Sequence, residues 1–313
     1  MGNEISPRPE RPSLIHRIFI GKQGIRAGWS IGIFVIISAV LSFAALFCVR
    51  LIIQGKHLTV NGALPPAPLA IREFGLFLAL LAASIFMTRI EHKPIISYGF
   101  EGEHRLRYFI YGFLFGFVAL SALVGAMMLL GFIRFDGVHL YGWGILRYAV
   151  VWGGVFVIVG LYEEYLLRGY LQATLSRGIG FWWSAIILSL AFGSLHLFNP
   201  GESRIGIISV VEVGLVFCLS LWYLKTLWWA IGFHVAWDWA ESYFWGTADS
   251  GLVMKGHLFD VQPHGNILWS GGATGPEGSL LVIVLLLIVA ALMWITWHKK
   301  TTATDLSGGT TVP

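Results

Sequence analysis

The sequence predicts an all-α protein, a polytopic membrane helix bundle of about eight transmembrane helices. Hydrophobic residues make up 56% of the 313 residues and charged residues only 12%, whereas a soluble domain carries about 25% charged residues. Eight apolar segments approach the length of about 20 residues that crosses a bilayer core of about 30 Å. The basic residues lie between these segments, as topology signals do. Together these three observations favour a protein embedded in the lipid bilayer.

The eight apolar segments follow one another along the chain. The first, 27–49, has 23 residues. This is more than the apolar core of about 7–15 residues in a cleaved signal peptide, so we expect a retained helix. The second, 69–88, is weaker because Arg72 and Glu73 lie near its start. The remaining segments are 108–133, 148–177, 180–197, 205–224, 227–245 and 280–297.

The predicted organisation has five parts. They are a basic cytoplasmic tail (1–26), N-terminal transmembrane helices (27–147), a helix core (148–245), a polar extramembrane loop (246–278), and a last transmembrane helix with a polar tail (279–313). Short loops within the core are typical of a compact antiparallel bundle.

Charge asymmetry predicts the orientation of the bundle. With the N-terminus in the cytoplasm, 14 of the 21 Lys and Arg residues fall on the inner side. The positive-inside rule therefore predicts an integral, multi-pass protein of the cytoplasmic membrane with both termini in the cytoplasm. The net charge of +4 comes from basic residues that set the orientation of the helices in the membrane. We therefore expect no nucleic-acid partner.

Ionisable residues inside the apolar segments carry the functional prediction. A charge at the bilayer centre costs about 2.5–3.5 kcal/mol on insertion scales, so such residues are functional by default. Those in or beside the apolar segments are Glu163, Glu164, Arg168, His196, Glu212, His234 and Asp238.

The first cluster contains two adjacent glutamates and an arginine. Glu164 and Arg168 have i,i+4 spacing with the acid N-terminal, the better orientation for a helical ion pair. For these two residues, a purely structural ion pair remains an equal alternative. Glu163 points about 100° away around the helix, and Leu167 occupies its i+4 position. Glu163 is therefore the better candidate for a general base.

Two histidine-containing clusters follow on later segments. Glu163 lies 16 residues before Ile179 and His196 lies 17 residues after it. At 1.5 Å per residue, both are about 24–26 Å from the turn, so antiparallel helices would place them at matching depth. His234 and Asp238 share one helix face. These groups are able to activate a water or bind a divalent metal.

Several other chemistries lack their motifs. The chain has no HExxH zinc motif and no GxSxG serine motif. Cys48 and Cys218 lie in apolar segments, and neither is placed with a histidine as a nucleophile. They also predict neither a disulfide nor a metal pair.

Three motifs together resemble a known family. In the first motif, Glu163 and Glu164 precede Arg168, which stands four positions after Glu164. In the second and third motifs, His196 stands four positions after Phe192, and Asp238 stands four positions after His234. This order on successive membrane helices resembles the type II CAAX endopeptidases, within the CPBP family of intramembrane proteases. The resemblance covers 148–245, about a third of the chain.

The resemblance implies a helical bundle around a membrane cavity and a glutamic-type mechanism without a metal cofactor. It implies that Glu163 activates water with His196, while His234 and Asp238 hold the developing oxyanion. It gives Glu164, Arg168 and Phe192 supporting positions, and no role to Glu212. The prenyl-protease pattern has Asn where this chain has Asp238, and an Asp donates to an oxyanion only when protonated. Orientation of His234 is therefore the alternative role for Asp238.

The predicted function is an intramembrane endopeptidase that cleaves a membrane-associated or lipidated protein or peptide. Three alternatives remain open at this point. A zinc protease would use Glu163, His196, His234 and Asp238 as metal ligands. A non-catalytic membrane scaffold or immunity protein would keep the same fold. A proton-coupled transporter would use the buried acids as a relay, although the sequence shows no inverted repeat.

Overall fold

The computed structural model describes residues 13, 18–21, 24–53 and 62–306, with side chains up to residue 298. About 74% of it is helical, which confirms the all-α class. Most of the predicted basic tail and the end of the polar tail lie outside the described residues.

Helices coincide with each of the eight predicted segments. In the described chain, the helix Trp143–Glu164 continues into Gln172–Ile179 through a π-helical turn at Tyr165–Leu171, and a second π-helical turn, Trp239–Trp245, extends the helix Trp228–Asp238. Short 3-10 turns cover Ile95–Ser97 and Pro276–Gly278. The α-helices are α1 (Ala27–Ile53), α2 (Pro66–Glu91), α3 (Arg105–Leu129), α4 (Trp143–Glu164), α5 (Gln172–Ile179), α6 (Phe181–His196), α7 (Arg204–Leu224), α8 (Trp228–Asp238), α9 (Ile267–Ser270) and α10 (Leu280–Leu306).

Six helices within the described residues are long and apolar enough to cross a membrane. They are α1, α2, α3, the combined α4–α5 helix, α7, and α10 up to His298. The α6 helix is apolar but shorter. The polytopic helical bundle is therefore confirmed, while the number of eight membrane crossings stays a prediction.

Hydrogen bonds between the connecting segments show which of these segments lie at the same end of the bundle. At one end, the Leu227 N–H donates to Gly99 O at 2.8 Å. At the other, which we call the strand end, the Leu64 N–H donates to Val253 O at 2.8 Å. The strand end contains the segments 62–65, 130–142, 197–203 and 246–279. Each of the eight predicted segments therefore runs from one end of the bundle to the other.

The strand end contains a short antiparallel sheet that the sequence analysis did not predict. Strand β3 (Ile133–Val138) pairs with β4 (Phe259–Pro263), and a smaller sheet joins β1 (Ile20–Gly21) to β2 (Gly24–Ile25). The prediction of a helix through residue 133 was wrong. Helix α3 ends because Gly131 adopts a φ of +77°, a left-handed conformation that glycine accepts readily.

The α8 helix lies at the centre of the bundle and packs against α3 at close range. A Cβ on Gly112 would lie 2.1 Å from Trp229 O, and one on Gly232 would lie 2.1 Å from Phe109 O. Only glycine allows two helix backbones to approach this closely. Most of α8 is therefore buried, and its position fixes the depth of His234 and Asp238.

Candidate functional site

One cavity brings the predicted catalytic residues together. Its volume is about 310 Å³, and Glu163, His196, His234 and Asp238 all line it. Residues of α2, α4, α6, α7, α8 and α10 form its wall, together with the loop 246–278. The cavity therefore reaches from the apolar interior of the bundle to the strand end.

The π-helical turn interrupts the helix that carries the two glutamates. Its backbone departs from helical geometry at Gly169, with φ −83° and ψ −112°, so the prediction of one continuous helix over 148–177 needs this correction. A Cβ on Gly169 would lie 2.5 Å from the Tyr165 ring, a packing that only glycine permits. Turns of this kind occur frequently at functional sites. Glu163 lines the cavity with its side chain 24% exposed, whereas the Glu164 side chain is fully buried.

Glu164 connects two elements behind the cavity wall. Its Oε1 is 3.2 Å from Arg168 Nη1, the i,i+4 contact that the spacing predicts. The same Oε1 is 2.9 Å from His234 Nδ1, a contact that the sequence analysis did not foresee. Both the Glu164 and Arg168 side chains are buried. Glu164 therefore holds the imidazole on α8 as well as the guanidinium on its own chain segment.

Arg168 fits into an aromatic layer between α6 and α7. Its guanidinium carbon lies 4.6 Å from the centre of the Phe192 ring and 5.5 Å from that of Phe217. A Cβ on Gly214 would lie 2.6 Å from Arg168 Nη2, so glycine makes room for the guanidinium. Phe192 also contacts the edge of His196, with ring centres 4.8 Å apart. Phe192 thus links the ion pair to His196.

His234 lies between two carboxylates at the cavity surface. Its Nε2 is 3.7 Å from Glu163 Oε2 and 3.5 Å from Asp238 Oδ2. The Phe217 ring stacks on the imidazole, with ring centres 5.7 Å apart. Because Glu164 contacts Nδ1, the Nε2 atom is the one turned toward the cavity carboxylates.

His196 lines the cavity from the end of α6. Its Nδ1 is 3.0 Å from Phe192 O, which leaves Nε2 free to face a substrate or water. The imidazole in direct contact with Glu163 is that of His234, not His196, among the ion-pair contacts of the described residues. A water between Glu163 and His196 would therefore have to bridge the two side chains.

Several acidic residues near the cavity were not predicted from the sequence. Glu73 lines it from α2 and pairs with Arg72, with Nε to Oε1 at 2.9 Å. The only sequence signal was the presence of two charges near the start of an apolar segment. Asp249 and Glu277 line it from the loop 246–278, where nothing in the local sequence separates them from ordinary loop residues.

Asp249 and Glu277 form an acidic wall with Glu241. Ser242 Oγ donates to Asp249 Oδ2 at 2.9 Å, and Ser250 Oγ donates to Glu277 Oε2 at 2.7 Å. Burial, reinforced by the charges of Asp238 and Glu277, raises the pKa of Asp249 well above its usual range. The side of the cavity that carries Asp238 is therefore rich in carboxyl groups.

Two sets of three side chains in the described residues have ligand atoms close enough to hold a metal ion. One set is Glu241, Asp249 and Glu277, and the other is His139, His257 and Asp260. The four residues of the zinc-protease alternative are not among these sets of the described chain. The prediction that the protein uses no cofactor stays a prediction.

Residues 145–240 match the family model of type II CAAX prenyl endopeptidase Rce1-like proteins. The resemblance to the CAAX-protease family is confirmed over this region. The match covers less than half of the chain, and it includes all four predicted catalytic residues. The chain has no match among curated proteins or among solved structures. The CAAX-protease family implies a membrane endopeptidase with a protein or peptide substrate.

Proposed function

We propose that the chain is a glutamic-type intramembrane endopeptidase that cleaves a membrane-associated or lipidated protein or peptide. The observation that supports this most directly is the position of Glu163. Its carboxylate lines a cavity inside the bundle, with His196, His234 and Asp238 in the same wall. A carboxylate and imidazoles around a space for water provide a general base and hydrogen-bond donors for hydrolysis.

In the proposed first step, Glu163 accepts a proton from a water molecule as the water oxygen bonds to the scissile carbonyl carbon. The C=O π electrons move to the carbonyl oxygen, which becomes an oxyanion. His196 orients the water from the other side of the cavity. In the second step, Glu163 returns the proton to the leaving nitrogen as the C–N bond breaks and the carbonyl reforms. No other reactant is needed.

His234 is the proposed donor to the oxyanion. Glu164 accepts a hydrogen bond from Nδ1 at 2.9 Å, so Nε2 presents its own N–H to the cavity when the ring is protonated at both nitrogens. A donor that is already in position before the reaction stabilises the oxyanion without reorganisation cost. Asp238, 3.5 Å from Nε2, is proposed to position this ring.

The apolar wall of the cavity favours an apolar substrate. Leu69, Leu76, Leu166 and Leu286 line it beside the polar groups. Such a lining accepts a lipidated tail or an extended transmembrane peptide more readily than a soluble, charged one. The lipid bilayer is the second proposed partner, because helices of the wall lie in membrane-length segments.

The test compares Glu163→Gln with Glu212→Gln. Glu212 is a matched control because it lies on α7 in the same bundle but does not line the cavity. The proteins are reconstituted in vesicles and incubated with a fluorogenic farnesylated peptide, and new protein termini are mapped in membranes from cells that express each variant. Loss of the general base should reduce cleavage by about 100- to 10,000-fold.

Cleavage by Glu212→Gln should match that of the unchanged protein. Equal cleavage by Glu163→Gln and the unchanged protein would contradict the mechanism. If expression of the protein produced no new protein termini in the membranes, the non-catalytic scaffold would instead be favoured. Activity that is lost in chelator and restored by zinc would favour the zinc protease.

We further propose that both termini are cytoplasmic, in the cytoplasmic membrane, on the basis of the charge asymmetry. The strand end, and with it the loop over the cavity, would then face away from the cytoplasm. A reporter fused after Pro313 should give a cytoplasmic signal, and one inserted at Gly265 should give the opposite signal. Reversed signals would contradict the orientation without affecting the proposed chemistry.

A further inference from the structure

A second group of imidazole and carboxylate side chains lies at the strand end, separate from the cavity lining. His139 follows β3, His257 lies in the loop before β4, and Asp260 belongs to β4. Asp260 Oδ2 is 3.3 Å from His139 Nδ1, and Asp260 Oδ1 is 2.7 Å from His257 Nε2. One ligand atom of each side chain lies within 4.8 Å of those of the other two.

Two imidazoles and a carboxylate are a characteristic ligand set for a transition metal ion with an open position. Zinc binds imidazole nitrogen at about 2.0–2.1 Å and carboxylate oxygen at about 2.0–2.2 Å, with tetrahedral geometry. Two ligand atoms on one such ion are therefore about 3.3 Å apart. The 3.3 Å between His139 Nδ1 and Asp260 Oδ2 matches that value, whereas the 2.7 Å between His257 Nε2 and Asp260 Oδ1 is a hydrogen-bond distance that would lengthen around an ion.

The surroundings of His257 orient it as metal-bound histidines are oriented. Its Nδ1 is 3.4 Å from Met254 O, and a backbone carbonyl is a common acceptor for the second ring nitrogen of a metal ligand. With the proton on Nδ1, Nε2 turns a lone pair toward Asp260 Oδ1. In the other tautomer a proton on Nε2 fills this 2.7 Å contact as a hydrogen bond, and a metal ion would take the place of that proton.

The group also has a route for an ion to enter. The side chains of His139 and Asp260 are 47% and 34% exposed, while that of His257 is 16% exposed. His139 follows β3, whereas Asp260 lies 121 residues later in β4, with His257 just before it. An ion bound to them would therefore join these segments and still keep one position for water.

We propose that His139, His257 and Asp260 bind a divalent transition metal ion of the zinc class. The ion fastens the loop 246–278 to β3. Met254 lines the cavity and lies three residues before His257, so the ion also holds the cover of the cavity. A Cβ on Gly246 would lie 2.6 Å from the His257 ring, which places the site against the residue that follows the π-helical turn after α8.

The test uses the full chain in detergent, purified through a tag without histidines and stripped with a chelator. Zn²⁺ is titrated by calorimetry and Co²⁺ by visible absorption, which reports four-coordinate geometry. We expect one ion to bind and Tm to rise with Zn²⁺, because an ion that binds only the folded protein stabilises it. His139→Ala and Asp260→Asn should each weaken binding by at least about 10- to 100-fold.

Two control variants locate the ion. His264→Ala removes an exposed histidine from the same loop, and His196→Ala removes one from the cavity. Both should bind Zn²⁺ as the unchanged protein does. Unchanged binding in His139→Ala and Asp260→Asn would overturn the proposal. Loss of binding in His196→Ala alone would also overturn it, because the ion would then lie in the cavity.

Discussion

Two histidine–carboxylate contacts of similar length lie in very different surroundings. In the cavity wall, Glu164 Oε1 is 2.9 Å from His234 Nδ1, and the two side chains are 0% and 11% exposed. At the strand end, Asp260 Oδ1 is 2.7 Å from His257 Nε2, and those side chains are 34% and 16% exposed. Distance alone therefore does not tell what either contact contributes.

Solvent makes the difference between the two contacts. A buried charge that loses its partner keeps its desolvation cost and has nothing to offset it. An exposed charge that loses its partner is rehydrated by water. The cavity contact should consequently matter for folding and catalysis, while the strand-end contact should matter for the metal ion that we propose.

The largest expected effect is on stability, in Glu164→Gln. This change removes the charge that Arg168 and His234 share. Breaking a buried ion pair costs about 3–5 kcal/mol, so we expect Tm in detergent to fall strongly. In metal-free protein, Asp260→Asn is the matched change and should cost about 1 kcal/mol or less. Equal losses in the two variants would contradict the role of burial.

The second effect is on the rate of cleavage, in His234→Phe, which keeps a ring but removes the donor. Loss of one oxyanion donor costs about 100- to 1000-fold in kcat. His264→Ala, an exposed histidine outside both clusters, should leave kcat unchanged. KM should change little in either variant, since the proposed contact forms with the oxyanion and not with the bound substrate. A change confined to KM would instead assign His234 to substrate binding.

The third effect tests the link between the two clusters. Gly246 has a φ of +69°, and its Cβ would lie 2.1 Å from Phe259 O. Gly265 has a similar φ of +73° but open space around it. A left-handed non-glycine residue costs about 1–3 kcal/mol. Gly265→Ala should show only this strain, whereas Gly246→Ala should lose more stability and weaken Zn²⁺ binding. Equal behaviour of the two variants would show that the proposed metal site and α8 are not linked.

The sequence predicted the parts of this structure that depend on local patterns. The eight helices follow from long apolar segments, and the contact between Glu164 and Arg168 follows from i,i+4 spacing. The interruption at Gly169 was not predictable, because an isolated glycine in a helical segment does not specify a π-helical turn.

The contacts between distant segments had no sequence signal. Glu164 and His234 are 70 residues apart, and His139 and Asp260 are 121 apart. The cavity group was partly predicted because charges stand out in apolar helices. The strand-end group was not, since histidines and aspartates are ordinary in a polar loop and only the pairing of β3 with β4 brings them together.

The smallest expected effect is in Asp238→Asn, and it separates the two mechanisms of hydrolysis. Asp238 lies 3.5 Å from His234 Nε2 and lines a cavity already rich in carboxyl groups. Asn keeps the shape, removes one negative charge and offers an uncharged donor to the oxyanion. Under the glutamic mechanism, kcat should be kept or raised. A zinc protease would lose a ligand, so metal affinity and activity would fall together.

Measuring kcat with a chelator and then with added Zn²⁺ distinguishes the two mechanisms. Activity lost in the variant and restored by Zn²⁺ would exclude Glu163 as the metal-independent base. If Zn²⁺ restored activity only while His139 was present, the ion being replaced would instead be the one at the strand end.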